Sequence, residues 1–189
     1  MAGLAGEANL SVKFWNRAEA ANALEARTEA DLGSIDLPVP PECFREIRLY
    51  LQRITDTGRT KNGVHVISFR TLENGDTQID AGPTIFHEPC SNCIQFRSGA
   101  QLSFGITLRF DGVKTSLLSY RFYLHMLPQS GLKFIRIDLN PPKARYDPLH
   151  LPRSHMHPGF EGVHIPFPVM RPLEILDRLV HVIEPRFAP

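Results

Sequence analysis

The stretch QLSFGITLRFDGVKTSLLSYRFYLHMLPQSGLKFIRIDL, residues 101–139, decides the fold of this chain. It begins with apolar side chains that alternate strictly with polar or small ones, the pattern of a strand with one buried face. Asp111-Gly112 then predicts a turn, residues 117–125 a second strand, PQSG at 128–131 a second turn, and residues 132–139 a third strand. The stretch therefore predicts a three-stranded antiparallel meander.

The pairing registers of this meander follow from keeping the apolar side chains on one face, because a shift of one residue moves every side chain to the other face. If PQSG forms the second loop, Arg121 lies opposite Asp138 on the polar face. For the Asp-Gly turn, a three-residue loop with Gly112 in the left-handed conformation places Phe104 opposite Tyr120. One face of the meander is then apolar and the other polar.

Helices are predicted before and after the strands. Residues 12–32 are rich in alanine and charge and lack proline, and Gly33 follows at a suitable C-terminal position. A second helix follows Pro40-Pro41, and Pro172 opens a last one. The apolar residues of these two helices recur at helical spacing: Phe44, Ile47, Leu51 and Ile54 in the former, and Leu173, Leu176, Val180 and Ile183 in the latter.

The remaining segments complete the fold prediction. Residues 63–72 and 76–81 are typical of strands joined by an Asn74-Gly75 hairpin. Residues 82–100, and a long segment after Pro142, are predicted to be loops. We therefore expect an α+β fold, in which two N-terminal helices and one C-terminal helix pack on one face of a mainly antiparallel sheet.

The domain organisation and class follow from length and composition. At 189 residues the chain is long enough for one domain, which we place at residues 42–189, preceded by a helical extension and linker at residues 1–41. A net charge of +1 indicates that any nucleic-acid site is local. Three cysteines, no secretory signal pattern and no long apolar run predict a cytoplasmic protein without membrane contact.

The stretch LPRSHMHPG, residues 151–159, is the first candidate site. His155 and His157 would lie on the same side of an extended segment, which suits a shared metal ion. The same pair suits acid–base chemistry on RNA, and an ordinary solvated or packed loop is a third interpretation. A metal site would need further ligands, and the candidates are His150, His164, Asp147, Cys90 and Cys93.

Cys90-Ser-Asn-Cys93 is a second candidate, since one CxxC is half of a zinc site. A pair of structural thiols or a redox pair fits the same spacing. With His155 and His157 this pair would complete an alternative zinc site, whereas the preferred interpretation has no cofactor.

The polar face of the meander is the third candidate. Arginines with an interleaved aromatic residue on an open sheet suit phosphate and base contacts. A solvated face with an Arg121–Asp138 cross-strand pair is the alternative. The strand that ends at Leu139 leads directly to the histidine stretch, which favours a shared cleft. The side chains of this face are Arg109, Arg121, Tyr123, His125, Arg136 and Asp138.

Other kinds of chemistry lack their signatures. The sequence contains no glycine-rich phosphate loop, no dinucleotide-binding fingerprint and no nucleophile elbow. Nucleotide-driven reactions and serine hydrolysis are therefore not expected.

The run LSYRFYLHMLPQSGLKFIRIDLNPP, followed by YDPLHLPRSHMHPG and PLEILDRLV, resembles TumE-type toxins of bacterial toxin–antitoxin modules over residues 100–183. The resemblance implies a RelE-like toxin that cuts RNA without a metal ion, and RNA and a cognate antitoxin as partners. It also implies roles for the matching residues. His155 and His157 would exchange protons, Arg153 and Arg136 would hold phosphate, and Asp138 would orient one of these side chains. The expected RNA contacts are Arg121, Tyr123, His125 and Arg109, with Tyr123 stacking a base.

Two other functions stay open at this point. One is a non-catalytic interaction subunit of a defence or regulatory complex, with the alanine-rich helix as its docking element. The other is a zinc-stabilised binding protein. Self-association of the chain is left open by the sequence.

Overall fold

A computed structural model of the protein describes residues 17–83, 90–127, 131–142 and 151–183. It has three α-helices and a large antiparallel sheet, which confirms the α+β prediction. The helices are α1 (Arg17–Ser34), α2 (Pro40–Asp56) and α3 (Pro172–Arg178), and a π-helical turn (Leu179–Ile183) follows α3. The strands are β1 (Ile67–Thr71), β2 (Thr77–Ala81), β3 (Ile94–Gln95), β4 (Gln101–Phe110), β5 (Thr115–His125), β6 (Phe134–Leu139), β7 (Ser154–Pro158) and β8 (Ile165–Pro166).

The sheet follows the order β1-β2-β4-β5-β6-β7-β8, and β3 also pairs with β4. Its apolar face and the helices form one core. Leu51 of α2 and Leu176 of α3 are fully buried in the same cluster as Phe104 and Phe122 of the two long central strands. The opposite face of these strands is therefore left for polar side chains, because side chains alternate between the faces.

The β5–β6 pairing confirms the predicted register, with Arg121 opposite Asp138. The predicted β4–β5 register is wrong by two residues, since Phe104 pairs with Phe122 rather than with Tyr120. The turn is one residue longer than predicted, because Phe110 pairs with Thr115, and a bulge in β5 adds a second residue. Beyond the bulge the shift is two residues, which leaves the side chains of residues 119–125 on their predicted face. Before the bulge the shift is one residue, and Leu117 instead of Ser116 lies opposite Leu108.

The smaller elements follow the sequence with local differences. Gly112 has φ +98° and Gly75 has φ +81°, the left-handed conformation that turn positions of this kind require. In α2 it is Cys43 that is buried beside the predicted stripe, whereas Phe44 is half-buried and packs on Phe69 with ring centroids 5.2 Å apart. Strand β1 begins at Ile67 instead of residue 63, and α1 is described from Arg17 onwards.

The predicted loop after Pro142 contains two strands. His155 and His157 lie in β7, which pairs with β6, so they belong to the sheet and not to a loop. The proposed ligands Asp147 and His150 lie outside the described residues. The prediction of a loop at 82–100 is also wrong in part, because β3 lies within it.

The β1–β2 hairpin is anchored by a buried carboxylate at Asp76. Arg109 donates to it from Nε (2.7 Å) and Nη2 (2.9 Å), and Asn74 donates from Nδ2 (2.8 Å). These contacts, led by the hydrogen bonds from Arg109, lower the pKa of Asp76. Arg109, an expected RNA contact, thus serves in this structure to hold the hairpin.

Replacing Asp76 with Asn should lower the free energy of unfolding by about 1–2 kcal/mol at pH 7. Because the folded pKa lies below the unfolded value of about 3.9, the carboxylate stabilises the fold fully above that value. This contribution is lost as pH falls through the folded pKa. Urea unfolding at pH 7 and at low pH checks this, with the exposed Asp36→Asn as control. An equal loss for Asp76→Asn at both pH values would contradict a role for the charge.

Candidate functional site

Strands β5, β6 and β7 bring the predicted polar residues together on one face of the sheet. Asp138 lies opposite Arg121 on one side and opposite His155 on the other. Arg136 lies opposite His157 in the next pair of β6 and β7. Directly opposed side chains of antiparallel strands share a face and lie close together. The pairing therefore forms one cluster, which we call the Asp138 cluster: Arg121, Arg136, Asp138, His155, His157 and His164.

The Asp138 carboxylate is the centre of this cluster and only 2% exposed. Arg121 Nε donates to Oδ1 at 2.8 Å, and Arg136 Nε donates to Oδ2 at 2.7 Å. Nε2 of His155 and Nε2 of His157 each lie 3.4 Å from Oδ2. Burial alone would raise the pKa of Asp138, but the contacts from the two histidines and the charges of the two arginines hold that pKa well below its usual range. The carboxylate is therefore ionised and fixes the two guanidinium groups.

His164 is the third imidazole of the cluster. Strand β8 pairs Ile165 with Met156, so the preceding residue, His164, falls beside His157. Their ring centroids are 4.4 Å apart, and that of His155 is 5.1 Å from that of His164. His155 and His157 are at most 1% exposed, whereas His164 is half-buried. His164 is thus the histidine of the cluster that reaches solvent.

The hydrogen bonds of the two buried histidines differ. His155 donates from Nδ1 to the carbonyl oxygen of Pro152 at 2.6 Å, and its Nε2 faces the Asp138 carboxylate. Nδ1 of His157 is buried and has no hydrogen-bond partner among the described residues. Nε2 of His157 lies 2.5 Å from Nη2 of Arg136, and because arginine only donates, Nε2 accepts in this arrangement.

Burial and charge also act on His164. Desolvation lowers its pKa, and the neighbouring His157, His155 and Arg136 lower it further. Since an ordinary histidine titrates near pH 6.5, His164 is neutral at pH 7. Arg136 donates hydrogen bonds to both Asp138 and Glu161. The turn before His164, which contains Glu161, is therefore connected to the cluster.

Arg153, expected to hold phosphate, lies outside this cluster. Its side chain is 6% exposed, donates from Nε to the carbonyl of Asn140 at 3.1 Å, and pairs with Glu29 of α1. The N-terminal helix is thus attached to the rest of the protein at Arg153. A phosphate group would therefore have to compete with Glu29 for this guanidinium.

Tyr123 and His125 continue the polar side of β5 beyond Arg121. Tyr123 is 2% exposed, and its ring stacks on Phe134 with centroids 4.9 Å apart. The expected stacking of an RNA base on Tyr123 is therefore blocked in this structure. His125 is half-buried and lines a cleft together with Lys133 and Glu161.

The cysteines do not join the histidines. Cys93 is buried against Tyr123 and Phe134, with Cys90 packed beside it. Burial, with the neighbouring Cys90, raises the pKa of the Cys93 thiol. In the part of the chain that the structure describes, the group that could hold a metal ion consists of His155, His157 and His164. Cys90 and Cys93, the other ligands of the alternative zinc site, are not part of that group.

No protein-family model, curated protein sequence or solved structure matches this chain. The resemblance to TumE-type toxins stays a prediction that rests on the motifs of the sequence. Within the described ranges, no helix is both long and apolar enough to cross a membrane. The site itself must therefore carry the functional argument.

Proposed function

We propose that the protein is a toxin-like RNA endonuclease of a toxin–antitoxin module and that the Asp138 cluster is its active site. The observation that carries this proposal is the gathering of two arginines and three histidines around one buried carboxylate. Guanidinium groups suit the phosphate and its extra charge in the transition state, and imidazole suits proton transfer near neutral pH. RNA supplies its own nucleophile, the 2′-hydroxyl, so the protein needs to supply only these two kinds of group.

The solvent exposure of each side chain in the Asp138 cluster indicates which of them can contact RNA. Arg121 is 32% exposed and uses Nε on Asp138, so its terminal nitrogens face outward for phosphate. His164 is the substrate-facing histidine, in place of the buried His155 and His157. The neutral ring of His164 takes the proton of the 2′-hydroxyl as this oxygen attacks the phosphorus. The same ring then returns the proton to the leaving 5′-oxygen, which yields a 2′,3′-cyclic phosphate and a 5′-hydroxyl.

Two clefts on either side of the cluster support an RNA path. One contains Arg121 with Thr107 and Asn140, and the other contains His125 and Lys133. Arg121 and His125 are four residues apart on β5, roughly 13 Å at the rise of a strand. This separation matches about two nucleotides of a single strand, with phosphates near Arg121 and Lys133. The contacts are local, in agreement with a net charge of only +1.

Replacing His164 with Ala tests this assignment. We expect RNA cleavage to fall by about 10²-fold or more, the usual contribution of a positioned acid–base group. The matched control is His65→Ala, because His65 is exposed in the turn before β1. The measurement is cleavage of a labelled single-stranded RNA, with the product ends identified by their sensitivity to phosphatase.

Two outcomes would contradict the proposal. If His164→Ala cuts RNA as fast as His65→Ala, the substrate-facing role of His164 is wrong. If the parent protein releases 3′-hydroxyl ends, the 2′-hydroxyl is not the nucleophile. Growth inhibition on expression, relieved by a neighbouring antitoxin gene, would support the toxin part of the proposal separately.

A further inference from the structure

We propose that His155, His157 and His164 bind one divalent transition-metal ion, with zinc the best match, and that the bound ion stops RNA cleavage. The first part stands on the geometry alone. The second part rests on the proposed function, because it concerns the same His164. The site would be a three-histidine centre at the edge of the sheet, with two ligands on β7 and the third directly before β8.

The three imidazoles are close enough for one ion. One ring nitrogen of each lies within 4.8 Å of the others. Bond lengths of about 2.0–2.1 Å place the nitrogens of a tetrahedral zinc site roughly 3.4 Å apart. Small rotations of the rings close this difference. Two of the three ligands come from the paired strand β7, which fixes their backbone positions.

The surroundings of His155 and His157 resemble those of ligating histidines. In metal sites the second ring nitrogen usually donates to a carbonyl or carboxylate, which orients the ring. Nδ1 of His155 already donates to Pro152 and leaves Nε2 available. Nδ1 of His157 is the buried nitrogen without a described partner, and a metal ion would satisfy it. Nε2 of His157 would then carry its proton toward Asp138 Oδ2, 3.4 Å away.

Arg136 must adjust when the ion binds. Its Nη2 is 2.5 Å from Nε2 of His157, and a protonated Nε2 cannot accept from it. Arg136 keeps its bonds to Asp138 and Glu161 through its other nitrogens. The carboxylates of these two residues balance the charges of Arg136 and Arg121, so the ion enters a neutral surrounding.

The three imidazole ligands determine which metal ions bind, and the exposure of His164 determines how the ion reaches the site. Three neutral imidazoles without a thiolate suit zinc, copper and nickel better than magnesium or calcium, which prefer oxygen ligands. His164 is half-buried, so the ion can enter and leave from solvent on that side. An imidazole that holds a metal through its lone pair cannot take a proton from RNA. The metal-bound protein would therefore be an inactive form of the nuclease.

Zinc binding is measured first, without RNA. Metal-free protein is titrated with Zn²⁺ in competition with a chromophoric chelator, and Co²⁺ replaces zinc to report coordination by visible absorption. We expect one ion per chain for the parent and for the control His65→Ala. His164→Ala and His157→Ala should each lose more than about tenfold in affinity, since even the loss of a group that only orients a ligand costs that much. His164 is half-buried, so its variant tests the site even if His157→Ala fails to fold.

Zinc inhibition is measured next, with the same proteins and labelled RNA. Cleavage by the parent should fall as zinc approaches one ion per chain and return on addition of a chelator. Failure to bind one ion, or equal affinity in His164→Ala and His65→Ala, would overturn the metal site. Binding without inhibition, or cleavage that requires zinc, would overturn the second part only. One bound ion in a protein that never cuts RNA would remove the proposed function and leave the metal site standing.

Discussion

Replacing Asp138 with Ala is expected to lower the free energy of unfolding by about 3–5 kcal/mol, the usual cost of removing one partner from a buried ion pair. The carboxylate is the shared partner of Arg121 and Arg136, and Arg136 is only 8% exposed. Without Asp138, the positive charges of Arg121 and Arg136 on neighbouring strands lose the carboxylate that they share. Urea unfolding at pH 7, followed by circular dichroism, measures the loss.

The matched control is Asp80→Ala on the same face of the sheet. Asp80 is half-buried, and Arg70 lies 3.4 Å from it with a side chain that is 61% exposed. This partly solvated pair should contribute about 0–1 kcal/mol. Similar losses for the two variants would show that Asp138 does not hold the cluster together. Under the proposed function, RNA cleavage by Asp138→Ala should also fall, because the arginines lose their fixed positions.

The pH dependence of stability gives Asp138 a second signature. Its folded pKa is depressed, so the carboxylate stabilises the fold fully above the unfolded value of about 3.9. That contribution is lost progressively as pH falls from this value through the lower folded pKa. Asp138→Ala should therefore be less sensitive than the parent to acid below pH 4, although it is less stable at pH 7.

The central part of the fold could be predicted because two independent rules agreed. Alternation determines which side chains of β5 and β6 are buried, and a four-residue turn then leaves one register. That register is enough to place Arg121 beside Asp138. The β4–β5 register failed because the turn is one residue longer than predicted and a bulge near the start of β5 adds a second residue. Beyond the bulge both registers bury the same side chains.

The histidine strand could not be recognised from its own residues. His155-Met156-His157 is flanked by prolines and has one apolar side chain among polar ones, which is typical of a loop. It forms a strand because it pairs with the edge of β6 that β5 does not occupy. Arg136 and Asp138 of β6 lie opposite the two histidines and are their polar partners. The context of the sheet thus outweighs the local preference of the residues.

His164 and Tyr123 show that contacts and exposure in the candidate site could not be predicted from the sequence either. Nothing in sequence spacing places His164 beside His157, because the turn between β7 and β8 determines that contact. Tyr123 alternates as a polar-face residue, yet Phe134 and Cys93 cover its ring. Residue types on a face can be predicted from alternation, whereas their exposure depends on distant segments that pack over them.

Under the proposed function, replacing Arg121 with Ala is expected to reduce RNA cleavage by about 10²–10³-fold, the usual cost of removing one group that stabilises transition-state charge. Arg121 is the more exposed of the two arginines on Asp138, and its terminal nitrogens are available to phosphate. Arg136 keeps its bond to Asp138 in this variant, so the carboxylate stays paired. The expected effect is therefore larger on cleavage than on stability.

Two further substitutions separate charge from geometry. Arg121→Lys keeps the positive charge but loses the planar fork, so its cleavage rate should lie between those of the parent and of Arg121→Ala. Arg70→Ala is the matched control, because Arg70 lies on an outer strand and bonds Gln78 at 3.0 Å. Rates are compared at a temperature where circular dichroism shows every variant folded. If Arg121→Ala and Arg70→Ala cut RNA equally fast, Arg121 does not contact the reacting phosphate, and the phosphate site must be sought at Lys133 and His125.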